Sequence, residues 1–238
     1  MKDWKCKIKK LHTPNYVEEE CVVVIDVIRA FTTAAFAFAK MAKKIILVST
    51  VEEAFSLKKS NPDYLLMGEV GGLPIKGFDF GNSPIEIGKG NLSGETLVQR
   101  TSAGTQGAIR SLKSKKVLAS SFAVAEGTLK RIRHLQPDSV TFVITGSNNG
   151  DEDLALADYL EECLLNGTAN PQGYLQRVKD SPDGKRHFSS EYPHFPEEDM
   201  DAIVQLNALP FSMELIMDGE LPTLTPTLFD GTLWNVRP

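Results

Sequence analysis

The chain has 238 residues, of which 42% are hydrophobic and 24% charged, with a formal net charge of -5. That length can bury a full core, and the composition is that of a soluble globular protein. No dense Lys/Arg run is present, so no nucleic-acid partner is expected. The three cysteines, Cys6, Cys21 and Cys163, form neither a disulfide framework nor a zinc pattern, as suits a reduced cytoplasm. The N-terminus MKDWKCKIKK lacks an apolar signal core, and the longest apolar region is broken by Asp26 and Arg29. A cytoplasmic protein with no membrane partner is the expectation.

In chain order, the run Cys21–Ile25 (CVVVI) is uninterrupted and rich in β-branched residues, which predicts a strand covered on both faces. Asp26 ends it, Arg29 follows, and an alanine-rich helix is expected over Ile28–Ala42. That helix is apolar nearly all round, which predicts burial and leaves Ala34–Ala42 suited to a homodimer contact. A strand is expected at Ile45–Val48, then a helix from Val51 to Lys59 opened by Thr50 and Glu53 at capping-box spacing. Tyr64–Met67 is a third strand, ending in Gly68-Glu69. From Gly68 to Gly90 the periodicity is lost in GEVGGLPIKGFDFGNSPIEIGKG, a long loop of the kind that is usually functional. Within it Ser83-Pro84 reads as a helix start.

Thr96–Arg100 is the next strand, followed by Thr101-Ser102-Ala103-Gly104-Thr105 and a helix to Leu112. A strand over Val117–Ser120, a helix over Val124–His134 and a strand over Val140–Thr145 come next. The turn Gly146–Gly150 then leads into a helix opened by Asp151-Glu152-Asp153 and running to Leu165. After Gly167 the regularity fades into a polar loop or hairpin and one further helix, and the tail from Leu221 to Pro238 reads as a surface wrap. The alternation predicts one α/β domain spanning 1–238, a three-layer α/β/α fold with a mostly parallel or mixed central sheet.

Three strand-to-helix junctions carry candidate chemistry. Asp26 and Arg29 stand where open α/β sheets place ligands, although a helix cap paired with an arginine gives the same pattern. The Thr101–Thr105 turn offers hydroxyls, a glycine and helix-start N–H groups suited to a phosphate, with Arg100 adding a forked donor. Ordinary helix caps share that composition. Glu152 and Asp153, with Glu69 and Asp79, supply hard oxygen donors suited to magnesium. No nucleophile elbow, dinucleotide fingerprint or histidine metal spacing is present.

Together the segments VVVIDVIRAFTTA (Val22–Ala34), GEVGGLPIKGFDFGNSP (Gly68–Pro84) and TSAGTQGA (Thr101–Ala108) resemble the magnesium-dependent 2-phosphosulfolactate phosphatases, the ComB family. Glu152-Asp153 and SPDGKRH (Ser181–His187) match more loosely. The resemblance implies a ComB-like α/β fold and hydrolysis of 2-phospho-3-sulfolactate to sulfolactate and phosphate. It also implies a place in coenzyme M biosynthesis in some organisms. Carried onto this chain, it implies a site of Asp26, Arg29, Glu69, Asp79, Asn82, Ser83, Thr101, Gly104, Thr105, Glu152 and Asp153. Asp26, Arg29 and Glu69 are the expected catalytic residues, and Asp26, Asp79, Glu152 and Asp153 the expected metal ligands. Asn82, Ser83, Arg100, Thr101, Ser102, Gly104 and Thr105 are the expected binders of a small anionic phosphate ester, with Arg100 serving its second acid end. The chain departs from the family where Thr-Thr-Asn-Gly-Thr is usual, since Ala103 replaces the amide. The alternative function is a catalytically impaired member that binds an anionic metabolite as a sensor or scaffold.

Overall fold

A computed structural model describes residues 4–146 and 151–234. The first strand, β1 (Lys7–His12), was not expected from its lysine-rich sequence and lies at one edge of the sheet. It is followed by β2 (Cys21–Ile25), buried at every position, α1 (Ala30–Ala39), β3 (Lys44–Leu47), α2 (Val51–Ser60) and β4 (Leu65–Val70). The capping box on α2 forms as its spacing predicts, Thr50 accepting from the Glu53 N–H and the Glu53 carboxylate reaching back. The glycine-rich loop holds β5 (Leu73–Pro74) and α3 (Pro84–Gly88), the latter capped by Ser83 with Pro84 in its first turn. Then come β6 (Thr96–Arg100), α4 (Gly104–Arg110), β7 (Lys116–Ser120), α5 (Ala125–Leu135), β8 (Ser139–Ile144) and α6 (Asp151–Asn166). The turn over 147–150, part of the expected Asn148–Asp153 junction, lies outside the described residues.

Two expectations fail after Gly167. Where a polar loop or hairpin was expected the chain forms α7 (Gln172–Asp180) and α8 (Pro182–Arg186), and the one further helix expected is α9 (Glu197–Ile203). Ser181 caps α8 by accepting from the Gly184 N–H, with Pro182 in the first turn. This is the same serine-proline signal that starts α3. The tail is not a surface wrap either. β9 (Ser212–Asp218) and β10 (Leu221–Thr227) form a hairpin in the middle of the sheet. Proline content suggested a loop, but β10 pairs with β3 only at Thr223 and Leu224, between Pro222 and Pro226. Neither proline therefore interrupts that ladder, and the threonines suit a buried strand.

The ten strands run in the order β1-β8-β2-β7-β9-β10-β3-β6-β4-β5. β1, β8, β2 and β7 are mutually parallel, as are β3, β6 and β4, and the antiparallel β9–β10 hairpin joins the two blocks in opposite directions. Strand twist of about 20–25° per step, accumulated over the six steps from β2 to β4, turns the second block back towards the first. Inward side chains of both blocks, Val22 and Val24 with Ile45, Leu47, Met67 and Leu97, accordingly share one core with Phe31 and Phe38 of α1. Wrapping by the sheet explains why α1 is apolar nearly all round. The outer faces are covered separately, by α5 and α6 over β2 and β8 and by α2 over β3, β4 and β6. Helices, sheet and enclosed helix make the three layers. Among the described residues, no helix is long and apolar enough to cross a membrane.

Candidate active site

The curl of the sheet brings the carboxyl ends of β2, β8, β4 and β6 to one cavity of about 410 Å³, lined by Asp26, Arg29, Glu69, Asn82, Ser102, Thr145, Glu152, Asp183, Arg186 and Phe195 among others. Asp26 follows β2 directly. Its Oδ1 accepts from the Ala30 N–H at 2.9 Å, at the start of α1. Gly104 is required beside it, because a Cβ there would stand 2.7 Å from Asp26 Oδ2 and 2.9 Å from the Ala30 Cβ. Burial, with the Glu69 charge adding to it against the Ala30 and Gly104 amides, pushes the Asp26 carboxyl up to about 6.

Glu69 is aimed by its neighbour. Gly68 has φ +136°, and a Cβ there would meet the Arg100 carbonyl oxygen at 1.9 Å, so only glycine permits this close strand approach. The Glu69 carboxylate then accepts from the Ser102 N–H at 2.5 Å, the Gly72 N–H at 2.6 Å and the Ser102 hydroxyl at 3.1 Å. At the start of α6, burial and the charges of Asp183 and Asp26 push Glu152 up to about 7. Its neighbour Asp153 is buried without lining the cavity. It clamps two strand ends together, accepting from Val27 N–H at 2.7 Å and Gly146 N–H at 2.8 Å. Burial, then the charges of Asp26 and Glu152, raises its carboxyl well above the usual range.

The other expected residues are placed differently. Thr101 and Thr105 close on each other: Thr105 N–H donates to Thr101 Oγ1 at 3.0 Å and Thr101 N–H to Thr105 Oγ1 at 2.9 Å. The Thr105 amide is therefore engaged locally, and that of Gly104 is directed at Asp26, so these helix-start donors do not form the expected phosphate cradle. Arg100 donates through Nη1 to the Glu69 carbonyl at 2.8 Å and does not line the cavity. Asp79 accepts from Leu66 N–H at 2.7 Å and pairs with Lys58 at 3.4 Å, away from the other carboxylates. Ser83 caps α3, donates to Asp199 at 2.5 Å, and borders a smaller adjoining cavity.

The segment 181–199 supplies what the sequence reading left out. Arg29 Nη1 donates to buried Asp199 at 2.9 Å and to the His194 carbonyl at 2.8 Å, while its guanidinium stacks over the Phe195 ring at 4.2 Å. Arg186 lies over the same ring at 5.6 Å and pairs with Asp183 at 2.9 Å. His187 is buried behind them, its Nδ1 2.8 Å from the Pro196 carbonyl, and burial pushes its ring pKa down. The one available signal was SPDGKRH, which contains Asp183, Arg186 and His187; Phe195 and Asp199 carry no local signature.

Such a cavity at strand ends, rich in carboxylates and guanidiniums, defines an α/β protein that handles a small charged molecule. The sequence profile described as "2-phosphosulpholactate phosphatase" matches residues 6–200. The chain belongs to this family, one of phosphoric monoester hydrolases by its name. It is similar to the "Probable 2-phosphosulfolactate phosphatase" of Bacillus subtilis, 36% identical over 90% of this chain and 94% of that protein. The protein of the same description from Carboxydothermus hydrogenoformans is 39% identical over 62% of this chain and 61% of its own length. That from Deinococcus radiodurans is 34% identical over 64% of this chain and 65% of its own length.

Proposed function

We propose that the chain is a magnesium-dependent phosphatase that hydrolyses 2-phospho-3-sulfolactate, or a similarly small phosphorylated organic acid, to phosphate and the free acid. The relatives' descriptions support the substrate class, and one observation carries the reaction: Asp26, Glu69, Glu152 and Asp183 line the cavity against only Arg29 and Arg186. A surplus of negative charge repels a phosphate dianion unless protons or a cation offset it. The raised carboxyls of Asp26 and Glu152 express the same need.

Magnesium fits this donor set. It takes hard oxygens, keeps several waters, and needs only one or two protein carboxylates beside substrate phosphate. The described residues contain no group of three or more His, Cys, Asp or Glu placed to hold a metal, so two carboxylates are the appropriate count. Asp26 and Glu152 would hold the ion, which when bound neutralises phosphoryl oxygens. Arg29, on the same turn as Asp26, binds phosphate oxygens and stabilises the charge that develops on them. Glu69, held by the amides of Gly72 and Ser102, takes a proton from the attacking water in this reading. Phe195 covers the site and limits water around it.

The test is phosphate release from 2-phospho-3-sulfolactate and a panel of small phosphate esters, with magnesium and with a chelator. Magnesium-dependent release from phosphosulfolactate is expected. Ala103 places a methyl group on the cavity wall, and this observation favours the sensor reading. Sulfolactate binding with no release from any ester would establish that alternative.

A further inference from the structure

The two guanidiniums of the cavity are built for different tasks. Arg29 sits in the turn after β2 with Asp26, 4% exposed, its charge matched by fully buried Asp199. Arg186 is on α8 with a side chain 33% exposed, and it pairs with Asp183 through Nη1. A guanidinium carries five N–H donors, so pairing through one nitrogen leaves the fork able to meet a second oxyanion. It lies over Tyr192 and Phe195, whose ring centroids are 5.4 and 5.6 Å away. Arg29 is 4.2 Å from the Phe195 centroid on its own account. The two guanidinium carbons are therefore no further apart than the sum of their distances to that one ring. A short molecule with an acid at each end spans such a pair. Among the described residues, these are the only arginines or lysines lining the cavity. Arg100, the sequence-based choice for the second acid, is directed at the Glu69 carbonyl and the Ser102 hydroxyl.

We infer that Arg186 is a specificity-determining residue that receives the second acid group of the substrate, sulfonate or carboxylate, while Arg29 takes the phosphate. This inference rests on the phosphatase reading for its substrate class, but its test has an arm that does not need turnover. A forked donor meets a sulfonate or carboxylate through two parallel hydrogen bonds.

Wild type, Arg186→Gln and Arg186→Lys are compared on 2-phospho-3-sulfolactate, 2-phospholactate and isopropyl phosphate, which share a phosphate ester and differ in the second acid. The ratio of kcat/KM for phosphosulfolactate to that for isopropyl phosphate should fall at least tenfold in Arg186→Gln, chiefly through KM. Arg186→Lys, which keeps charge but loses the fork, should fall between. A parallel fall for 2-phospholactate assigns the position to carboxylate, and a fall confined to phosphosulfolactate assigns it to sulfonate. A ratio within twofold of wild type overturns the inference. Calorimetric binding of sulfolactate, measured on the same proteins, applies even if no ester is hydrolysed. Binding weakened at least tenfold by Arg186→Gln supports the assignment. Equal binding by the variant, or none by wild type, contradicts it.

Discussion

The carboxyl ends of β2 and β4 hold their carboxylates through their own and neighbouring turns, whereas the 181–199 segment is held by groups more than a hundred residues away. Asp26 is fixed by an amide four residues away, and Glu69 by Gly72 and by Ser102, in the turn after the neighbouring strand β6. Asp199 reaches Arg29, Ser83 and the Ile85 amide, each more than a hundred residues distant in sequence. The first region supplies acid and is rigid because its sequence makes it so. The second supplies both cations' partners and the aromatic cover, and depends on the fold being complete. The placement of Asp26 and Glu69 is thus a property of strand ends, while charge balance is a property of the assembled molecule.

The largest expected effect strikes the first region. Asp26→Asn should lower turnover of phosphosulfolactate by about 10³-fold with the circular dichroism spectrum unchanged. An unchanged rate would exclude the β2 carboxylate from the reaction. Asp199→Ala breaks the second region by leaving the Arg29 charge buried and unpaired, at a cost of about 3–5 kcal/mol in urea unfolding. A loss below about 1 kcal/mol would show that 181–199 is held by other contacts.

A smaller effect separates the regions by pH. Glu152 is raised from 4.5 to about 7 by burial and the Asp183 and Asp26 charges. Between those values the folded chain retains a proton that the unfolded chain has lost. The stability this group contributes is therefore present below the lower value and lost as pH rises through the upper one. In magnesium-free buffer the melting temperature of Glu152→Gln should gain on wild type from about pH 5 to about pH 8, a pKa unit being worth about 1.4 kcal/mol. A constant difference would place Glu152 in water. The smallest effect is expected at Asp79→Asn, with kcat/KM within about twofold and stability within about 1 kcal/mol, since its pair with Lys58 is half-exposed.

Much of the scaffold was legible because it is written in local chemistry. The all-apolar Cys21–Ile25, the Thr50–Glu53 capping box and the Ser83-Pro84 start each require only neighbours in sequence. Asp26, Arg29, Glu69, Asn82, Ser102 and Glu152, singled out because they stand at strand ends or in loops of unusual composition, all line the one cavity. Thr101, Thr105 and Asp79 do not line the cavity, and composition could not show this, because a hydroxyl or carboxylate that satisfies its own turn looks like one that faces a ligand. β10 was hidden by its prolines, whose placement outside the β3 pairing is a matter of register. Phe195 and Asp199 were invisible, since their partner Arg29 lies more than 160 residues away.

The most direct test of the central claim, that this cavity's acid surplus is matched by a divalent cation, is calorimetric titration of magnesium into the chain near neutral pH with inorganic phosphate present. One ion per chain, with binding weakened at least tenfold by Asp26→Asn, is the predicted result. No magnesium binding by folded wild-type protein, or binding indifferent to Asp26, would contradict the account.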